Sequence, residues 1–263
     1  MIFANHAHTF PDEIRPDASV DALKKYMDDC GIDKAVAFAC FPKLVNREID
    51  CNKYLYEKIK NDPDLIGFGT IDFQLFHFED QIEQIAEYGF KGVKIHPQAQ
   101  DIKIDGDRAF RAYKKCEELG LFISFHSGIH WNRLANSKVE LFDEVAYNFP
   151  KLSFSMEHVG GYSYFNEALA VMVNNKRRTD AKIYAGWTTI KDSRGAWSLD
   201  NEKLYTLLKQ TGDDCSIFGL DFPYNNVDYT KEAIERIRSL DITDEVKDKI
   251  LGQNLANALG IAL

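Results

Sequence analysis

Residues 92–126 read GVKIHPQAQDIKIDGDRAFRAYKKCEELGLFISFH. Gly92–His96 is a short, β-branched run stopped by Pro97, which suits a strand. The stretch 107–119 has the apolar spacing of an amphipathic helix. Gly120 follows it, where a left-handed C-cap is wanted, and Leu121–His126 is again strand-like. The segment is therefore one strand–helix–strand unit, and both of its strands end on a histidine.

The unit recurs along the chain, although no stretch of sequence repeats. Strand-like runs fall at Ile2–Asn5, Lys34–Ala39, Leu65–Thr70, Gly92–His96, Leu121–His126, Leu152–Glu157, Lys182–Ala185 and Ser216–Leu220. Helical stretches lie at about 19–30, 48–60, 79–88, 107–119, 137–148, 163–174, 200–211 and 230–239, with a further C-terminal helix at 243–258. Gly31 and Gly89 stop helices as Gly120 does, and Pro63 and Pro150 precede strands. Ser19 suits a helix N-cap, as does Asp80 or a neighbour. Eight such units predict an α/β chain folded as a (β/α)8 TIM barrel, one domain over 1–263 with an extra C-terminal helix. A doubly wound open sheet is the alternative. The strand count and the lack of a GxGxxG after an early strand favour the barrel.

The 263 residues are 45% hydrophobic and 13% aromatic, enough for a sizeable core. A net charge of −9 argues against a nucleic-acid partner held through phosphates. The 5 cysteines form no CxxC, which suits a reducing, cytoplasmic setting without a disulfide framework. No apolar run is long enough to span a membrane, and Met1-Ile2-Phe3 leads straight on without a signal-peptide pattern.

In a barrel of this kind the C-terminal strand ends converge on one face. The polar residues there are His6 and His8 (strand one), Lys94 and His96 (four), His126 (five), Glu157 and His158 (six) and Asp221 (eight). His130 lies in the loop after strand five, and of the 7 histidines only His77 falls clearly elsewhere. Residues i and i+2 of a strand share a face, so His6 and His8 can grip one ion. His126 and Asp221 can complete three imidazoles and one carboxylate, a set that suits zinc, with manganese, iron or nickel as other fits. Each residue alone has an ordinary structural explanation; the combination makes the case. Lys94 suits an interior charge paired with Asp221 or a substrate carboxylate, a carbamylated bridge between metals, or a purely structural ion pair.

The ordered set HxH (His6–His8), GxKxHP (Gly92–Pro97), FHSG (Phe125–Gly128), HxGG (His158–Gly161) and GxDxP (Gly219–Pro223) resembles the amidohydrolase superfamily, closest to amidohydrolase family 2. The tail Ile250–Ala256 resembles that family's closing helix. The resemblance covers the whole chain and implies a barrel with one divalent metal held by His6, His8, His126 and Asp221. It also implies a role for His158 on water or substrate. Family members often carry an aspartate two residues before the first motif histidine; here that position is Ala4, so a supporting carboxylate is missing from the expected place.

The leading expectation is a metal-dependent hydrolase of a small carboxylated or cyclic substrate, cleaving an ester, lactone or amide, with Asp221 and His158 moving protons. The same ligands would serve a non-oxidative decarboxylase of a small unsaturated or aromatic acid. A third reading is a barrel that binds a ligand without turnover, which the intact His/Asp set opposes. A deoxyribonuclease of the superfamily fits poorly, because strand four lacks a GExGLD motif. Arg47, Lys94, His96, His130 and Trp131 are candidate substrate-binding residues. The expected partner is a small molecule, with a homodimer compatible with exposed apolar loops.

Overall fold

The computed structural model describes residues 1–45, 49–130, 133–161, 163–190 and 198–263. In chain order they form β1 (Phe3–His8), α1 (Val20–Cys30), β2 (Lys34–Phe38), α2 (Cys51–Ile59), β3 (Leu65–Gly69), α3 (Glu79–Glu87), β4 (Gly92–Ile95) and α4 (Asp107–Glu118). There follow β5 (Phe122–Gly128), α5 (Phe142–Asn148), β6 (Phe154–Gly161), α6 (Phe165–Asn174), β7 (Ile183–Thr188), α7 (Asn201–Thr211), β8 (Ser216–Phe222) and α8 (Val227–Ser239). The strands are parallel neighbours in sequence order, and β1 pairs with β8 to close the barrel. The (β/α)8 expectation is therefore met.

Strand alternation divides the core into two parts. Phe3, Val36, Phe38, Phe68, Phe122, Tyr184 and Ile217 point inward and fill the barrel floor. Alternate residues such as Ile123, Phe125, Met156, Trp187 and Phe218 join the larger core between strands and helices. The C-terminal segment runs as α9 (Asp244–Asp248), a wider π-turn (Lys249–Gln253) and α10 (Asn254–Leu259). Leu255, Ala256 and Leu259 of α10 pack on the floor cluster and stopper that end. Burying a side chain of leucine size contributes about 1.5–3 kcal/mol, so α10 helps to seal the barrel thermodynamically as well as sterically. The opposite end is left as the open mouth.

Two of the backbone-driven signals act as their sequence implies. Ser19 Oγ accepts from Ala22 N at 3.1 Å, and Gly31 closes α1 in the left-handed region at φ 69°. Asp80 is not a cap: it lies inside the first turn of α3, whose N-cap position is Phe78, without a capping side chain. The helix expected near 230 begins at Val227, because Asn226 Oδ1 accepts from Tyr229 N at 2.9 Å and starts it earlier. The stretch expected to be helical from 137 opens with a 3-10 turn, Val139–Leu141, before α5. Strands β1, β5, β6, β7 and β8 run past their expected ends. Their apolar pattern stops early because their inner faces turn polar at the mouth. Among the described residues no helix is long and apolar enough to cross a membrane.

Candidate functional site

The mouth of the barrel holds a cavity of about 450 Å³ lined by His6, His8, His96, His126, His130, His158 and Asp221. Phe10, Phe41, Leu44 and Tyr224 supply apolar walls. Every histidine singled out at or beyond a strand end is thus brought to one place. Exposed His77 lies apart, against Phe76. Arg47 and Trp131, also candidates, lie outside the described residues.

Strand β1 reaches the site through an irregularity. Its register with β2 shifts between Ala4 and Ala7, and His6 adopts φ 70°. The inserted step lets Asn5 and His6 both face the interior, against strict alternation. Ala4 belongs to the helix-facing core. The residue two before His6 therefore faces away from the site, and a carboxylate there would not reach the ring in this register. His158 at φ 64° and Asp221 at φ 56° share the left-handed conformation. That region is unfavourable for side chains other than glycine, by about 1–3 kcal/mol each, and concentrates at sites where geometry is imposed.

One ligand atom each of His6, His8 and Asp221 lie within 4.8 Å of one another. His6 Nε2 is 3.5 Å from Asp221 Oδ1. His126 stands outside that tight trio; its ring is stacked on His96 at 3.9 Å and lies 5.0 Å from His158. Burial, with the charge of Lys94 and neighbouring imidazoles, holds His6, His8, His96 and His126 well below the usual histidine range. Burial also takes His158 down to about 3. These rings are neutral, as imidazole ligands and bases must be. Burial pushes Asp221 up to about 7, Glu157 adding to the shift and Lys94 opposing it. A divalent cation among these atoms would relieve that penalty by favouring the carboxylate. Two neutral imidazoles and a carboxylate within one ion's reach suit zinc or a similar divalent metal.

Glu157, noted in sequence only as a strand-end residue, is the hub beneath the site. It is fully buried in β6. Its Oε1 accepts from Asn5 Nδ2 at 2.7 Å, Ser124 Oγ at 3.3 Å and Ser155 Oγ. Its Oε2 accepts from Thr188 Oγ1 at 2.7 Å and lies 3.1 Å from His6 Nδ1, off the line of an ideal hydrogen bond. A carboxylate at Nδ1 places the ring proton there and leaves Nε2 with its lone pair toward Asp221 and the candidate metal position. The supporting carboxylate that Ala4 lacks comes from across the barrel. Space for it is made by Gly186: a Cβ there would overlap Glu157 Oε2. The sequence signal was the alternation Ser155-Met156-Glu157, two polar residues on the inner face of a buried strand. Ser127 of the FHSG motif then ties β5 to β6, donating to Glu157 O at 2.6 Å and accepting from Gly160 N at 2.9 Å.

Lys94 is fully buried below the cavity and does not line it. Its Nζ has no hydrogen-bond partner among the described residues and stands 5.2 Å over the Phe38 ring. No direct ion pair to Asp221 forms. Burial draws its ammonium down to about 8, while Glu157 and Asp221 hold it up through longer-range attraction.

The amidohydrolase family model matches residues 6–261. No curated protein matches. Among solved structures, 5-carboxyvanillate decarboxylase from Sphingomonas paucimobilis superposes with a TM-score of 0.76 at 15% identity, over 99% of each chain. A putative 2-pyrone-4,6-dicarboxylic acid hydrolase from Pseudomonas putida gives 0.74 at 16% identity, over 100% of this chain and 98% of that one. A dihydroxybenzoic acid decarboxylase from Polaromonas sp. JS666, with bound manganese and an inhibitor, gives 0.70 at 15% identity over 98% and 96%. At these identities the superpositions speak for the fold.

Proposed function

The chain belongs to the amidohydrolase family, and from that premise we propose that it is a metal-dependent hydrolase of a small carboxylated or cyclic substrate. The observation that carries the reading is the convergence of His6, His8 and Asp221, with ligand atoms within 4.8 Å, in the cavity at the barrel mouth. His126, which the family resemblance places in the ligand set, lines the same cavity. A divalent cation bound there supplies Lewis acidity, polarising a substrate oxygen and making water more acidic.

The chain's own residues do the rest. Glu157 keeps the His6 proton on Nδ1, so that Nε2 remains a donor of electrons. Asp221, whose carboxylate shares the candidate metal position with His6 and His8, is placed to take a proton from an attacking water. His158, neutral and lining the cavity, is a second proton acceptor, with its ring 5.2 Å from that of His6. Phe10, Phe41, Leu44 and Tyr224 exclude bulk water from one flank and suit a flat or cyclic substrate.

A second reading keeps the residues and changes the bond broken: non-oxidative decarboxylation. The two solved decarboxylases of this fold favour it. The test has two steps. Elemental analysis of purified protein and of His126→Ala should show about one divalent metal per chain, weakened in the variant; no metal in either protein refutes the proposal. A panel of lactones, esters and hydroxybenzoic acids then separates the readings. Lactone or ester turnover without carbon dioxide release supports the hydrolase, and carbon dioxide release from an acid transfers the site to decarboxylation.

A further inference from the structure

His96 is held unlike the other histidines. The turn after β4 folds back on it: Ala99 N donates to His96 Nδ1 at 3.4 Å. His96 N donates to Gln100 Oε1 at 2.7 Å, and its carbonyl accepts from Gln100 N at 3.0 Å. Gln98 Nε2 pins the same turn to β5 and beyond, donating at 2.7 Å to both Gly128 O and Ser137 Oγ. The ring lies flat on His126, with 3.9 Å between centroids and 6° between planes, and His130 meets it edge-on at 4.5 Å.

These contacts decide which nitrogen carries the proton. A nitrogen that accepts from a backbone N–H has no hydrogen of its own, so the proton sits on Nε2. His96 lines the cavity, as Ala99 does, so the ring is within reach of a molecule bound there. Neither nitrogen is then free for a metal: the Nδ1 lone pair is engaged and Nε2 is an N–H. His6 is the mirror case, with a carboxylate at Nδ1 and a bare Nε2. Two imidazoles of the same cavity are thus set by their surroundings to opposite tautomers.

We propose that His96 is a fixed Nε2–H donor that binds an oxygen of the substrate, carboxylate or carbonyl, beside the metal site. This rests on the proposed metal site at His6, His8 and Asp221. The stacking on His126 and the threefold anchoring of the turn keep the donor aimed before any substrate arrives, which limits the ordering cost of binding.

Nitrogen-15 spectra of the imidazoles in the zinc-loaded protein test it, with His96 identified by its absence in His96→Gln. Expected are a protonated Nε2, a bare Nδ1 and a resonance that zinc does not displace. Benzoate should shift this Nε2–H if a carboxylate is the acceptor, and the cyclic amide 2-piperidone should do so if a carbonyl is. A proton on Nδ1, displacement of either His96 nitrogen by zinc, or no shift with either probe overturns the proposal. Zinc affinity should stay within about threefold in His96→Gln and His96→Leu, whereas affinity for the responding probe falls about tenfold or more in His96→Leu and is largely kept by the glutamine N–H. A probe affinity equal to wild type in His96→Leu also overturns it, as does a tenfold loss of zinc affinity in both variants. Failure of the protein to bind zinc would strike the metal reading instead, and the tautomer remains measurable in the metal-free protein.

Discussion

Replacing Glu157 by glutamine changes a carboxylate into an amide of the same shape and leaves a hydrogen-bond donor where the structure needs an acceptor. Oε2 faces Thr188 Oγ1 at 2.7 Å and His6 Nδ1 at 3.1 Å; Oε1 faces Asn5 Nδ2 at 2.7 Å. If the amide nitrogen takes the Oε2 place, Thr188 can rotate its hydroxyl and accept, but the His6 Nδ1–H confronts another donor. The ring then relieves the clash by moving its proton to Nε2, which removes the lone pair aimed at the proposed metal position. If the nitrogen takes the Oε1 place, it confronts the Asn5 amide, and His6 faces a neutral oxygen in place of a charged one. In either case a contact to a charged group, worth about 1.5–3 kcal/mol, is lost or weakened. That converts to a roughly 10–100-fold loss of zinc affinity, the range typical of partners that orient metal-bound histidines. The assay is competition for zinc with a chromophoric chelator, run beside thermal unfolding of the metal-free protein to confirm that the variant is folded. A folded Glu157→Gln protein with wild-type zinc affinity would refute the role assigned to Glu157.

Gly186→Ala places a Cβ against Glu157 Oε2, so overpacking of about 1–3 kcal/mol is expected in urea unfolding, together with weaker zinc binding. Loss of stability with unchanged zinc affinity would separate the glycine from the carboxylate it accommodates. Leu255→Ala, a fully buried position in the barrel floor, should cost about 2–5 kcal/mol in the same unfolding assay while leaving zinc affinity unaltered. An effect on zinc there would mean that the floor and the mouth are coupled. Stripping metal with a chelator should lower the melting temperature, by an amount that grows with the logarithm of zinc affinity, and His6→Ala should abolish that difference. A His6→Ala protein still stabilised by zinc would place the ion elsewhere.

Much of this was legible in the chain because the relevant physics is local. The strand at Gly92–Ile95, the helix at Asp107–Glu118 and the turn at Gly120 follow from side-chain period and backbone preference, and the same grammar recurs around the barrel. A parallel barrel brings the C-terminal ends of its strands to one mouth, so the histidines closing those strands had to meet. The motifs around His6, His8, His126, His158 and Asp221, which carry the resemblance to the family, stand in the sequence itself.

What the chain could not state were the relations between strands. The bulge in β1 turns Ala4 outward and Asn5 inward, because pairing with β2 and β8 shifts register there, and period alone assumes strict alternation. The carboxylate serving His6 arrives from β6, 151 positions away, through the gap that Gly186 leaves on β7. Lys94 reads as an interior charge for Asp221, a substrate carboxylate or a metal bridge, yet it ends over Phe38 with no hydrogen-bond partner among the described residues. The tautomer of His96 depends on where Ala99 N falls in a turn. Sequence determined which residues gather at the mouth, since that follows from strand polarity. Tertiary structure decided which nitrogen holds a proton and which carboxylate supports it, since those depend on distances of a few ångströms between segments far apart in the chain.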